Sequence, residues 1–64
     1  MTTLEIIAII MKRDKISYED ARDLVKETGW QIADVLDAGT GSDGAEKVLQ
    51  EMLNLDKEYL TAFL

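Results

Sequence analysis

The most regular stretch of the chain lies between residues 18 and 38, where apolar positions recur every three or four residues. At about 100° per residue, Tyr18, Ala21, Leu24, Val25, Thr28, Ile32, Val35 and Leu36 fall on one continuous stripe, with Gly29 at its edge. Glu19, Asp20, Asp23, Lys26, Glu27, Asp34 and Asp37 fall outside it. The phase survives Gly29, so the pattern predicts one long helix in which this glycine permits a neighbour to approach closely, at a helix-propensity cost of about 1 kcal/mol relative to alanine. A third helix over about 44–54 places Ala45, Val48, Leu49, Met52 and Leu53 on one side, and a short last helix over about 57–63 offers Tyr59, Leu60 and Phe63. Start signals agree with these limits. Thr2 with Glu5, Ser17 with Asp20 and Asp43 with Glu46 have the spacing in which a side-chain oxygen accepts from free first-turn amides. Asp56 is a weaker fourth cap. Stops are expected at Asp14-Lys15 and at Gly39-Thr40-Gly41.

The first helix, over about 3–13, follows a different pattern. Leu4, Ile7, Ala8 and Met11 form an ordinary core stripe, but Ile6 and Ile10 widen it to roughly 200°, and Ile9 lies among Glu5, Lys12 and Arg13. A helix apolar nearly all round is buried on more than one side. Either a second copy of the chain covers it, through Ile6, Ile9 and Ile10, or the C-terminal helix folds back over it. The isoleucine run also has strand character. The expected fold is all-α: a single domain spanning residues 1–64, with three helices and a short C-terminal one.

Composition narrows the chemistry. With 64 residues, no cysteine, no histidine and no proline, disulfides, thiolate chemistry and the usual zinc ligands are excluded, and nothing forbids long helices. The formal charge is −6 and is unevenly placed: residues 1–15 carry +1 and residues 16–64 carry −7. An acidic body disfavours nucleic-acid backbones; it favours solubility and basic partners. Lys12, Arg13 and Lys15 follow an apolar helix but are explained by its macrodipole better than by a membrane surface. No secretion signal or membrane span is visible, and a cytoplasmic setting is expected.

Trp30 is the residue that stands out. On an uninterrupted second helix it projects from the polar side, near Lys26, Asp23 and Asp34, where a tryptophan suits an interface. Should the first helix or the C-terminus pack over it, or the chain bend at Gly29, the indole becomes core instead. A bend would also let residues 21–40 match a helix-turn-helix, although its second helix would show Gln31, Ala33, Asp34 and Asp37 with no base for phosphate or guanine. The same bend would make Ser17–Leu36 similar to ubiquitin-associated-type three-helix modules. Gly39-Thr40-Gly41-Ser42-Asp43-Gly44 spells G-x-G-x-x-G, but a helix precedes it and Asp43 would repel pyrophosphate. Asp37 and Asp43 do not make a calcium loop. Acid pairs such as Asp20–Asp23 or Glu19–Asp23 lack a pocket to perturb them. No catalytic residue, metal or cofactor is therefore expected.

Two segments, Ile16-Ser17-Tyr18-Glu19-Asp20-Ala21 and Leu53-Asn54-Leu55-Asp56-Lys57-Glu58-Tyr59-Leu60, resemble short acidic proteins of phages and prophages of Gram-positive bacteria. Those proteins often end in Leu-Gly-Leu-Glu-Pro-Asp-Tyr-Leu; Asn54 and Lys57 stand here in place of the glycine and proline. The resemblance implies a phage-like origin and carries no established activity. The expected function is that of a non-enzymatic interaction module, such as an acidic regulator or inhibitor of a host protein. Trp30, Asp23, Glu27 and Asp34 would meet a basic partner surface, with no nucleic acid and no membrane involved. A homodimeric structural module and a helix-turn-helix DNA-binding regulator are the alternatives.

Overall fold

Two of the expected caps form as the spacing requires. In the computed structural model, which describes residues 2–39 and 41–63, the Thr2 hydroxyl accepts from the Glu5 amide at 3.4 Å and opens α1 (Thr3–Asp14). The Ser17 hydroxyl accepts from the Asp20 amide at 3.2 Å and opens α2 (Tyr18–Asp37). Lys15 ends α1 in the left-handed region (φ 54°), with Lys12 and Arg13 in the last turn, where cations suit the carbonyl end of the helix. The Arg13 fork donates to both carboxylate oxygens of Asp14 at 2.9 and 3.0 Å, and its third nitrogen reaches the Asn54 carbonyl at 3.4 Å. This ties the end of α1 to the residue that follows the third helix. The bond from Arg13, then its charge, holds the Asp14 carboxyl below its ordinary value, and the same bond raises the Arg13 guanidinium.

α2 runs through Gly29 without interruption, so neither a helix-turn-helix nor a ubiquitin-associated-type bend exists at that point. Ala21, Val25, Thr28 and Ile32 are buried, Leu24 and Val35 are half-buried, and Tyr18 and Leu36 lie at the exposed ends of the stripe. Thr28 is the buried polar residue of the core, and its hydroxyl donates to the Leu24 carbonyl of the same helix at 2.7 Å.

α3 (Gly41–Leu53) begins at Gly41 rather than near Gly44, so Asp43 is a first-turn residue and not the cap. Gly39 and Gly41 both hold positive φ (80° and 75°), a backbone that side chains resist. Helix resumes at the second of them; Thr40, between them, lies outside the described residues. Ala45, Leu49 and Leu53 of α3 are buried. Asn54, also left-handed (φ 54°), closes the helix, asparagine being among the residues that tolerate this conformation. The chain ends in a 3₁₀ helix (Lys57–Phe63), entered by a bond from the Tyr59 amide to the Asp56 carbonyl at 3.1 Å. Leu55 and Leu60 are buried; Tyr59, Ala62 and Phe63 are half-buried against the same core. Among the described residues every regular element is helical, so the isoleucine run is not a strand.

The packing of α1 corrects two expectations. Its buried residues are Ile6, Ile7 and Ile10, whereas Leu4 is 64% exposed and Ala8 also faces solvent. The helix is thus rolled by about 100° from the stripe centred on Leu4, Ile7, Ala8 and Met11. Ile7 is common to both faces, and Ile6 with Ile10 remove more apolar surface from water than Leu4 with the Ala8 methyl. The second correction follows from the first. Ile6 and Ile10 are 0% exposed within this single chain, and Ile9 is half-buried against the core. Ile6 and Ile10 present no surface to a second copy, and Ile9 only part of one. α1 packs against both α2 and the C-terminal 3₁₀ helix, so the fold supplies the second cover from its own end.

Candidate functional site

The position of Trp30 follows from the unbroken helix. With Ala21, Val25, Thr28 and Ile32 directed into the core, the opposite face of α2 carries the indole, which is 63% exposed. The Lys26 ammonium, one turn earlier, lies 5.4 Å from the ring centroid, within range of a cation–π attraction.

Beside the indole lies a shallow groove of about 260 Å³ whose lining includes Thr3 and Ile7 of α1, Val25 and Gly29 of α2, and Phe63 at the chain end. Arg22 and Lys26 also line it. Gly29 keeps it open. A β-carbon built there would stand 3.4 Å from Phe63 Cδ1 and 3.7 Å from Cε1, so the neighbour expected to approach this glycine is Phe63. Thr3 belongs to the same groove, which brings the N-terminal end of α1, and with it exposed Leu4, to the same end of the molecule as Trp30.

The charges around Trp30 are divided. Helix geometry puts Asp23, Asp34 and Glu27 at about 20°, 40° and 60° to one side of the indole, and Lys26 and Arg22 at about 40° and 80° to the other, where the groove lies. All five are exposed. The expectation of an indole surrounded by carboxylates therefore holds on one flank only; the structure brings Trp30 into ring contact with a cation and leaves Asp23, Glu27 and Asp34 outside the groove. Arg22 is shared between Asp23 Oδ1 (3.4 Å) and the Tyr18 ring (5.9 Å). Among the described residues, Glu19, Glu27, Asp34 and Asp37 have no cation within 4.0 Å. These carboxylates are exposed and open to an incoming base.

The groove was not readable in the sequence, because Phe63 and Thr3 reach it from opposite ends of the chain. The one local signal was a glycine beside an exposed tryptophan in an otherwise good helix. A second hollow, of about 370 Å³, is lined by Glu46, Gln50, Leu55, Asp56, Lys57 and Glu58 between α3 and the 3₁₀ helix. Among the described residues no group of three or more potential ligands stands close enough to hold a metal ion. Among the described residues no helix is long and apolar enough to cross a membrane. Compared with family models, curated proteins and solved structures, the chain matches none of them.

Proposed function

We propose that this protein is a non-enzymatic protein–protein interaction module whose docking face is the exposed side of α2, with Trp30 as the anchor. The observation that carries this reading is an indole 63% exposed at the edge of an apolar groove. Tryptophan leads the residues that dominate binding energy when a partner desolvates them. The flank formed by Asp23, Glu27 and Asp34 suits a basic partner surface: its charge speeds encounter, while the apolar anchor slows release. Together with the resemblance to small acidic phage proteins, this supports the role of a cytoplasmic regulator or inhibitor that occupies a surface of a host protein.

The test is an affinity capture from the source cell with the wild-type chain and with Trp30→Ala, read by mass spectrometry. Trp30 is 63% exposed and outside the buried core, so the helical circular dichroism should be unchanged while the specific partner is lost. A partner retained at equal affinity by Trp30→Ala refutes the anchor.

A further inference from the structure

The row of residues that flanks Trp30 has a spacing of its own. Glu19, Asp23, Lys26, Trp30, Asp34 and Asp37 follow one another at intervals of four, three, four, four and three residues, and all are exposed. That is close to the seven-residue repeat on which a second helix stays in contact with the first. The row covers about 27 Å at 1.5 Å per residue. Four of its six members are acidic and one is basic, and the single apolar member sits near its middle, next to the groove.

We infer that the element docking on this face is a basic amphipathic helix. It lies along α2 with Lys or Arg opposite Glu19, Asp23, Asp34 and Asp37, and one large apolar side chain seated in the groove between Trp30 and Phe63. The inference rests on the interaction reading above and names the chemistry of its partner. Charge complementarity selects the occupant. A second copy pairing antiparallel about Trp30 would set Asp23 against Asp37 twice, offsetting its two Lys26–Asp34 pairs, and a parallel pair would set every charge against itself, so neither gains the four acid–base pairs that a basic helix makes. Phosphate backbones are repelled by the same row. Among the described residues the fold has no strand, and hence no sheet edge for an extended peptide to join. The groove has room for a side chain because Gly29 contributes none. Lys26, now over the indole, is the one repulsive member of the row, and a partner guanidinium or ammonium would take its place on the ring.

The probe is a synthetic helix-forming peptide of about 18 residues, matched to the length of the row, with lysines at the heptad positions and one central leucine. Three controls accompany it: a scrambled peptide of the same composition, a version with glutamate for lysine, and one with alanine for the leucine. Titration calorimetry at low salt should show saturable binding of the patterned peptide, weakened at least about tenfold by Trp30→Ala, by leucine-to-alanine or by scrambling. Asp23→Lys with Asp34→Lys should weaken it as strongly, and Lys26→Ala should tighten it. Equal binding of the scrambled peptide would reduce the effect to bulk charge and overturn the inference. So would binding of the glutamate version, or light scattering that shows the free chain dimerising through Trp30. A partner captured through Trp30 while no patterned peptide binds would leave the interaction module standing and remove the basic helix.

Discussion

Replacing Gly29 with alanine separates the stability of α2 from the openness of the face it presents. Gly29 lies inside an unbroken helix and is not one of the positive-φ glycines, so alanine suits its backbone. Helix propensity alone favours the substitution by about 1 kcal/mol. The new methyl meets Phe63 Cδ1 at 3.4 Å and Cε1 at 3.7 Å. The shorter distance is at the tight edge of ordinary contact, and each such atom pair contributes only about 0.1–0.2 kcal/mol. Phe63 is half-buried, and at this distance the methyl fits without displacing the ring. Gly29→Ala should therefore stabilise the fold by about 1 kcal/mol, which for a domain of this size raises the midpoint of thermal unfolding by roughly 4–8 °C. Thermal and urea unfolding followed by far-ultraviolet circular dichroism measure it. The same methyl makes the groove shallower, so binding of the leucine-bearing peptide should weaken even as stability rises, the usual tension between a well-packed scaffold and an open site. A destabilised Gly29→Ala protein would refute the reasoning: it would mean that Phe63 is pinned in place or that α2 needs a flexible joint at this residue.

Ile10→Ala should destabilise the fold by about 2–5 kcal/mol, enough to unfold much of a domain this small, whereas Leu4→Ala should stay within about 0.5 kcal/mol; urea titration of the pair checks which face of α1 is buried. Lys15 holds φ 54° without being glycine, so Lys15→Gly should stabilise by about 0.5–1 kcal/mol in the same assay. Because the bond from Arg13 lowers the Asp14 carboxyl, the small stability it lends is present above the ordinary carboxylate value and is lost as pH falls through the lowered one. Acid unfolding of Asp14→Asn should accordingly show a shallower pH dependence than wild type at the acidic end, and an identical curve would remove the pair from the account.

What could be read from the chain in advance was whatever local chemistry decides. Thr2 and Ser17 cap because a hydroxyl three residues before a free amide reaches it in any context, and Trp30 is outside because the phase of α2 continues across Gly29. The roll of α1 was not readable. A helix apolar around most of its circumference has no preferred face of its own, so the elements that pack on it decide, and here α2 and the 3₁₀ helix chose the isoleucines. The start of α3 is not legible because Asp43 and Glu46 imitate a cap, while the helix already begins at Gly41, a left-handed glycine. The groove depends on Phe63 returning to Gly29, a contact between distant parts of the sequence. The division of charge about Trp30, by contrast, follows from the same 100° arithmetic that placed the indole.

Thr28 spends its hydroxyl on its own helix, and among the described residues no buried side-chain polar atom lacks a partner. Its interior thus lacks a polar latch running from one helix to the next. Among the described residues, alignment of the helices inside the core is left to the shapes of its apolar side chains, and shape is the kind of specification that blurs first when core volumes are shuffled. Variants with a repacked interior of equal volume would keep their helical content yet lose the single arrangement, showing a molten near-ultraviolet spectrum beside an intact far-ultraviolet one. Any surface that relies on Phe63 sitting against Gly29 would blur with them.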